Sequence, residues 1–485
     1  MDTLSRALPE ALVASLSQVK GFDEASFRQV HLSGEQVTSV RVNPAKWSLS
    51  ADKLLNAKSM HGGDDTSISN ESSTALPQHA PFGNTTPVKW CPFGLYLPER
   101  PFFTHDPYLH AGMYYVQEAS SMFLWEALKQ TVGPDTQGLK VLDLCAAPGG
   151  KSTLLAGYFN DGLLVSNEVI KARASILEEN IVKWGTGNVV VTNNDPKDFQ
   201  RLAGYFDVMV IDAPCSGSGL FRRDAKAIDE WSEENVQLCS QRQQRILADA
   251  IDALKEEGML IYSTCSYSME EDEAILDWCC SELSLESIRF YIPDNWHITE
   301  VQTIAAQAYG YRFYPDKIRG EGFFIAAFRK PGEHAASFKK PALTAITKAE
   351  SMVIKEWLNR EDLFFFKQKD QVLAIAAEWQ NEIALLQKHL YLRLAGVTVG
   401  SIKGKELVPH HALAMSVWKN EQLPAVELDL PQALNYLKKK DVVLPPDQPV
   451  GWTLAKYQSA SLGWMKVLPN RMNNYYPVEW RILKD

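Results

Sequence analysis

The sequence lacks the long apolar run that a transmembrane helix requires. No apolar stretch among its 485 residues approaches the ~18 residues that span a bilayer. The first ten residues also lack a basic segment followed by an apolar one, so no secretory signal is predicted. Seven cysteines, scattered along a long chain, argue against a disulfide framework. These absences predict a cytoplasmic protein with no membrane partner.

The common nucleotide-binding glycine motifs are also incomplete. The stretch 145–152 reads Cys-Ala-Ala-Pro-Gly-Gly-Lys-Ser, and it would match a phosphate-binding P-loop if position 145 were glycine. Pro148 has no backbone N–H to offer a phosphate, and no convincing second acid for nucleotide hydrolysis follows. The loop is not a G-x-G-x-x-G dinucleotide motif either. A triphosphate site therefore stays a minor alternative.

Paired metal ligands are scarce as well. The sequence has no C-x-x-C pair, and Cys279 and Cys280 are adjacent on a predicted helix. No group of histidines is placed to complete a tetrahedral zinc site. We therefore predict no metal, while a redox pair of two distant thiols stays open as an alternative.

Length and composition indicate several globular domains. A chain that is 45% hydrophobic and 22% charged is typical of a soluble fold, and its length suggests two to four domains. Residues 386–485 carry 13 Lys and Arg against 8 Asp and Glu, although the whole chain has a net charge of −10. A basic module on an acidic body favours a polyanionic partner, and a merely solvated surface explains the imbalance about as well.

Short apolar runs alternate with helical stretches in the middle of the chain. This alternation predicts a doubly wound α/β domain with a parallel sheet. A later pair of runs predicts an antiparallel hairpin at the sheet edge. The strand runs are 139–144, 162–168, 188–192, 206–212 and 258–263, the helices include 171–183 and 233–255, and the hairpin covers 312–315 and 322–328.

The chain divides into four predicted regions. Residues 1–100 are predicted to form a small N-terminal domain, with a helix over 8–18, a strand over 37–42 and a flexible polar insertion at 48–87. Residues 101–330 form the α/β domain. Residues 331–385 are predicted to be a linker and helical connector, and residues 386–485 a strand-rich, aromatic module.

Acidic residues follow successive predicted strands. They are Glu168, Asp195 and Asp212, and Glu168 lies 18 residues after Gly150, the spacing at which a carboxylate binds ribose hydroxyls. A tight loop without a full phosphate cradle, followed by such an acid, suits a nucleoside-bearing cofactor that has no phosphate. S-adenosylmethionine is that kind of cofactor. Acids at strand ends are also often simple helix caps, so this alternative stays open.

Two cysteines also follow predicted strands. Cys215 ends the stretch Asp-Ala-Pro-Cys after the fourth strand, and Cys265 lies in Ser-Thr-Cys-Ser after the fifth. A single buried cysteine is usually a small core residue. Two cysteines at neighbouring strand ends, each followed by serine, are harder to explain as core packing. We expect both to face the cofactor crevice.

Thiols beside a methyl donor suit methylation of a pyrimidine ring carbon. C5 of cytosine is not nucleophilic until a thiolate adds to C6; loss of the C5 proton and of the thiolate then restores the ring. An amino-group methyltransferase needs no thiol. The residues favour carbon methylation but do not show which thiol attacks.

These motifs resemble the NOL1/NOP2/Sun family of RNA cytosine-C5 methyltransferases over about residues 1–330. The C-terminal stretch 451–477 is similar to the PUA-like module of bacterial members that modify small-subunit ribosomal RNA. The insertion at 48–87 departs from the family. The matching motifs are Asp143–Ser152, Asp212–Gly219 and Tyr262–Ser266, with Tyr115–Ser121 and Arg222–Asp224.

The resemblance implies an S-adenosylmethionine-dependent Rossmann-like methyltransferase domain, with Cys265 as the nucleophile and Cys215 assisting product release. It implies 16S ribosomal RNA as the partner, free or within the small ribosomal subunit, and a monomeric enzyme. Transfer RNA as substrate, or an inactive RNA-binding assembly factor, are the alternatives. The cofactor-binding residues that it implies are Cys145, Ala146, Ala147, Pro148, Gly149, Gly150, Lys151, Glu168, Asp195 and Asp212.

Overall fold

A ten-stranded sheet forms the centre of the protein, as seen in a computed structural model that describes residues 7–47, 82–333, 337–339 and 341–483. By residue range, its strands lie in the order 299–302, 309–313, 323–329, 254–264 (β9), 206–212 (β8), 140–143 (β5), 163–167 (β6), 189–192 (β7) and 392–395, with 286–288 paired to 323–329. The strands from β9 to β7 along this order run parallel. Their bounds are Lys140–Asp143 (β5), Leu163–Asn167 (β6), Val189–Thr192 (β7), Phe206–Asp212 (β8) and Leu254–Thr264 (β9).

Both faces of this sheet are covered, because alternate residues of each strand enter different hydrophobic clusters. On β8, Met209 and Ile211 belong to one cluster, whereas Val208 and Val210 belong to the other. A parallel sheet buried on both faces confirms the predicted doubly wound domain. Strand order reverses between β5 and β8, which places a ligand crevice beyond their carboxyl ends. The flanking helices are Gly150–Tyr158 (α5), Lys171–Trp184 (α6), Ala225–Glu230 (α7), Glu233–Ala250 (α8) and Glu273–Glu282 (α9).

Several expectations differ from the structure. The strand predicted at 258–263 begins at residue 254, and the first hairpin strand, predicted at 312–315, covers 309–313. The helix predicted to reach residue 255 ends at Ala250, because a short 3-10 turn follows it. Leu254 then already belongs to β9, where it pairs with Phe206 of β8. The predicted hairpin is antiparallel but does not lie at the edge. Its second strand packs between β9 and its first strand, and a further short strand covers the outside. The hairpin strands are Tyr309–Phe313 (β12) and Phe323–Arg329 (β13), and the outer strand is Thr299–Gln302 (β11). Glu286–Ile288 (β10) also pairs with β13.

The opposite edge takes a strand from the predicted C-terminal module. Leu392–Ala395 (β16) pairs antiparallel with β7. The region predicted as linker and helical connector contains two helices but also a hairpin, which joins two later strands in a four-stranded sheet. The elements are Lys348–Lys355 (α10), Leu363–Gln368 (β14), Gln371–Ala376 (β15), Gln380–His389 (α11), Val397–Lys403 (β17) and Glu406–Pro409 (β18).

The two ends of the chain pack against each other. Val40 and Leu95 of the N-terminal sheet share one hydrophobic cluster with Tyr436 and Leu462 of the C-terminal module. The N-terminal elements are Glu10–Leu16 (α1), Glu24–Leu32 (α2), Ser39–Val42 (β1), Thr86–Pro87 (β2), Gly94–Tyr96 (β3), Pro107–His110 (α3), Tyr114–Val116 (β4) and Leu124–Thr131 (α4). The C-terminal elements are His411–Met415 (α12), Ala425–Glu427 (β19), Leu430–Leu437 (α13), Gly451–Tyr457 (β20), Ala460–Leu468 (β21) and Arg471–Asn474 (β22).

Most of the insertion predicted at 48–87 lies outside the described residues, which resume at residue 82. Among the described helices, none has both the length and the apolar content to cross a membrane.

Gly112 joins the N-terminal sheet to the α/β domain, and its replacement tests that contact. Its φ is +65°, and an added Cβ would lie 1.8 Å from the Lys183 carbonyl oxygen at the end of α6. We expect Gly112→Ala to lower the free energy of unfolding by about 2–5 kcal/mol, because backbone strain and overpacking add. Denaturant titration measures the change.

Gly34 provides the matched control. Its φ is +67°, but no atom lies within 4 Å of an added Cβ. Gly34→Ala should therefore cost about 1–2 kcal/mol of left-handed strain alone. Equal losses in the two variants would contradict a specific contact at Gly112.

Candidate functional site

The loop Cys145–Gly149 leaves β5 and turns into α5. Gly149 has a φ of +116°, a conformation that favours glycine at this turn. From α6, the Arg173 guanidinium donates to the Ala147 carbonyl at 2.8 Å, and the Asn180 amide donates to the Pro148 carbonyl at 2.8 Å. The loop is thus held from behind, which leaves its other side facing the crevice beyond β5 and β8.

Cys145 itself is a packing residue. Its side chain packs against the core cluster on one face of the sheet. Burial raises the pKa of the Cys145 thiol, and the neighbouring Asp143 carboxyl adds to the effect. A thiol that stays protonated is a poor nucleophile, so Cys145 shapes the loop rather than reacting.

Two of the three predicted acids are held by bonds that leave them at the crevice. Glu168 is buried, and its carboxylate accepts from the Ile170 N–H at 2.8 Å and pairs with Arg173 at 3.2 Å. Asp212 accepts from the Ser263 hydroxyl at 2.8 Å and pairs with the Lys151 ammonium at 2.8 Å. Lys151 therefore contacts an acid, where a P-loop lysine would contact a phosphate.

The third acid acts as a helix cap. Asp195 follows β7, and its carboxylate accepts from the Lys197 N–H at 3.2 Å in a capping box with Asp198. The capping alternative thus holds for this residue. Asp195 still lies at the same edge of the sheet as Glu168, because β6 and β7 are neighbours.

Asp143 was not singled out from the sequence, although it ends β5. It is fully buried, and one carboxyl oxygen accepts from the Ser152 hydroxyl at 2.6 Å. Its other oxygen is buried without a hydrogen-bond partner among the described residues. Burial raises the pKa of Asp143 to about 7, against the lowering effect of Ser152. Its place in the glycine-loop motif was the available signal.

The two cysteines predicted at strand ends lie in contact. The Sγ atoms of Cys215 and Cys265 are 2.9 Å apart, and both side chains are half-buried. Their loops are joined by a bond of 2.7 Å from the Gly219 N–H to the Cys265 carbonyl. Contact with the Cys265 thiol and burial both raise the pKa of Cys215. The geometry therefore favours a protonated Cys215 beside its partner.

Arg41 supports the glycine loop from the N-terminal sheet, and the sequence analysis missed it. The fully buried guanidinium lies 4.5 Å from the Trp184 ring centre. It donates to the Thr153 hydroxyl at 2.5 Å and to the Gly150 carbonyl at 3.2 Å. A lone arginine within the apolar strand Ser39–Val42 was the signal that could have revealed it.

Glu271 was also missed. It lies six positions after Cys265, in a run of acids that gives no periodic signal, and it contacts the loops of both cysteines.

In the part of the chain that the structure describes, no three His, Cys, Asp or Glu side chains are grouped so that they could hold a metal ion.

Three family models match the chain. The model described as 16S rRNA methyltransferase RsmB/F matches residues 130–329. The N-terminal domain of 16S rRNA methyltransferase RsmF matches residues 65–119, and the methyltransferase RsmF PUA domain matches residues 423–482. The matches agree with the predicted order of an N-terminal domain, a catalytic α/β domain and a PUA-like module.

Relatives that match about four fifths of the chain carry a consistent name. Ribosomal RNA small subunit methyltransferase F of Citrobacter koseri is 30% identical over 82% of this chain and 86% of its own length. The protein of that name from Shewanella loihica is 29% identical, covering 81% of this chain and 82% of the relative. The structure of NSun6 from Pyrococcus horikoshii with SFG covers 67% of this chain and 99% of that chain, with a TM-score of 0.50 and 20% identity. This last likeness shows the fold alone.

Proposed function

Since the chain belongs to the family of ribosomal RNA small subunit methyltransferase F, we propose that it methylates C5 of a cytosine in 16S ribosomal RNA. The methyl donor of this family of enzymes is S-adenosylmethionine. The observation that supports C5 as the methylated atom is the contact of 2.9 Å between the Sγ atoms of Cys215 and Cys265 at the crevice. The ribosomal substrate rests on the names of the relatives.

The crevice fits S-adenosylmethionine by its donor set. The carboxyl groups of Glu168 and Asp212, at the ends of β6 and β8, suit a cofactor that carries cationic and hydroxyl groups, and Asp143 at the end of β5 keeps one buried oxygen without a partner among the described residues. The backbone of Cys145–Lys151 would hold the methionine part, Glu168 the ribose hydroxyls, and Asp195 and Asp212 the remaining polar groups. When bound, the cofactor supplies an electrophilic methyl group.

The two thiols divide the remaining chemistry. The Cys265 thiolate adds to C6 of an unstacked cytosine, and the electron pair of the ring then makes C5 nucleophilic. After C5 has been methylated, a base takes the C5 proton, the electron pair of that C–H bond re-forms the C5=C6 double bond, and the bond between Sγ and C6 breaks to return the Cys265 thiolate. Cys215 assists this release. The division of roles between the two thiols follows the resemblance to the family, in which the cysteine of the Thr-Cys stretch, here Cys265, is the nucleophile.

The regions outside the α/β domain would choose the RNA. We propose residues 1–100 and 386–485 as RNA-binding regions around the catalytic domain of 101–330, with 331–385 as connector. The excess of Lys and Arg in 386–485 supports contacts with phosphates, whose strength falls as salt rises. β16 belongs structurally to the catalytic sheet. The enzyme would act as a cytoplasmic monomer.

Mass spectrometry of RNA from a strain without the gene tests the substrate. We expect one 5-methylcytidine to disappear from 16S ribosomal RNA and to return with the wild-type gene but not with Cys265→Ala. Loss of a methyl group from transfer RNA alone would favour the transfer RNA alternative. Unchanged RNA with slow subunit assembly would favour an inactive assembly factor.

Glu168→Gln tests the cofactor site. We expect the affinity for S-adenosylhomocysteine to fall about 10- to 100-fold, because a hydrogen bond to a charged group contributes about 1.5–3 kcal/mol. Calorimetry measures the change, and Glu179→Gln on α6, which pairs with Lys183, is the control expected to bind normally. Tight binding of ATP by the wild type, with none of S-adenosylhomocysteine, would contradict the assignment.

A further inference from the structure

One buried carboxylate links the two cysteine loops. Glu271 has no exposed surface and lies in the segment between β9 and α9. On the Cys215 side, it accepts from the Ser216 backbone N–H at 2.8 Å and from the Ser216 hydroxyl at 2.5 Å. Ser216 directly follows Cys215, so these two bonds fix the position of the backbone next to the Cys215 thiol.

The same carboxylate reaches the other loop. Its second oxygen accepts from the Ser266 hydroxyl at 2.6 Å, and Ser266 directly follows Cys265. Gln243 of α8 donates to the first oxygen at 3.1 Å and to the Pro214 carbonyl at 3.0 Å. A buried carboxyl is costly unless it is hydrogen-bonded, and these donors compensate for its burial at this one place.

We propose that Glu271 is a positioning residue that holds the thiols of Cys215 and Cys265 in contact. This proposal rests on the proposed function for its consequence in catalysis, but the geometry stands apart from it. Without the carboxylate, the Ser216 N–H and both serine hydroxyls lose their acceptor in a buried place. The loops then separate, and a misplacement of about 1 Å in a reacting group costs about 100-fold in rate.

Two variants of Glu271 separate hydrogen bonding from charge. In Glu271→Gln, the amide oxygen accepts from the Ser216 N–H and Gln243, while the amide NH2 donates to the two serine hydroxyls. Those hydroxyls are 3.3 Å apart, so they can rotate and bond to each other. Glu271→Gln therefore keeps the link between the loops, whereas Glu271→Ala removes it.

The rate of disulfide formation between Cys215 and Cys265 reports how closely the two thiols are held, and it is measured with neither RNA nor cofactor present. Diamide is the oxidant: the two thiols lose two protons and two electrons to its N=N bond, which becomes a hydrazine. Mass spectrometry of unreduced peptides measures the rate at which Cys215 and Cys265 become linked. We expect Glu271→Ala to slow this rate at least about 10-fold, and Glu271→Gln to stay within about threefold of the wild type.

Glu382→Ala is the matched control. Glu382 is another buried glutamate, which accepts from the Tyr205 hydroxyl at 2.8 Å; Tyr205 precedes β8, at the opposite end of that strand from Cys215. Its removal should leave the linking rate unchanged. If Glu271→Ala does not fold, the double variant Ser216→Ala and Ser266→Ala removes the hydroxyl contacts and should slow linking as well. Linking at the wild-type rate in the variant that folds, or equal slowing in Glu271→Gln and Glu271→Ala, would overturn the proposal.

Turnover with RNA gives the second readout. Glu271→Ala should lower kcat about 100-fold with KM changed less than about threefold, because the loops hold the reacting groups and not the RNA. Glu271→Gln should restore most of kcat. A rise in KM with kcat unchanged would overturn the positioning role. If the wild type methylates no RNA, the proposed function fails, and the linking rates still decide whether Glu271 positions the thiols.

Discussion

Replacement of Cys265 by alanine is expected to abolish methylation and to leave no covalent adduct between protein and RNA. Without the thiolate nothing adds to C6, so C5 never becomes nucleophilic. The rate of methyl transfer to 16S ribosomal RNA should fall by about 10⁴-fold or more, as for the loss of other covalent nucleophiles. Transfer of labelled methyl groups and denaturing gels measure the two effects.

Cys280→Ala is the control for this variant. Cys280 is also a half-buried free thiol, but it lies on α9, away from the crevice. Its replacement should leave methylation and cofactor binding close to the wild type. Cofactor binding by Cys265→Ala should also persist, which separates a lost nucleophile from a lost fold. Methylation retained by Cys265→Ala would refute its role as nucleophile.

Replacement of Cys215 by alanine is expected to trap the enzyme on its RNA. Cys265 can still attack and C5 can still be methylated, but release then stalls because the thiol 2.9 Å away is missing. A slowly migrating band should form under denaturing conditions when both RNA and S-adenosylmethionine are present. Nuclease treatment should return the band to the position of the free protein.

The double variant Cys215→Ala and Cys265→Ala is the control for this trap, and it should give no band. A band from Cys265→Ala but not from Cys215→Ala would reverse the roles of the two thiols. Bands from neither, with activity retained in both, would exclude a thiol mechanism. If both were core residues only, their loss would lower stability without trapping RNA.

The core of the fold was predictable because its signal is local. The parallel strands are short Val- and Leu-rich runs, buried on both faces, and each of the runs near 140, 163, 189 and 206 matches a strand within one or two residues. The hairpin β14–β15 was missed, although its Phe-rich first strand and its apolar second strand are typical of a sheet. Its position within a stretch interpreted as a linker hid that pattern.

Long-range pairings were not predictable in the same way. β16 joins β7 across the boundary predicted at residue 386, and nothing in its four residues identifies that partner. The edge position expected for the hairpin was wrong, because β11 pairs with β12 and forms the edge instead. β11 was not predicted, since it is short and partly exposed. Such short strands are specified by the neighbour that they pair with, and they carry little preference of their own.

The sequence by itself determined the α/β class, the glycine loop after β5 and the presence of two thiols at strand ends, because these depend on local patterns and on residue types. Only the tertiary structure decided that the thiols touch, that Asp195 caps a helix, and that Arg41 and Glu271 support the site. Each of these facts depends on groups far apart in the chain: Arg41 meets Thr153, and Ser216 meets Glu271. Burial makes such contacts strong, and only the packed fold creates that burial.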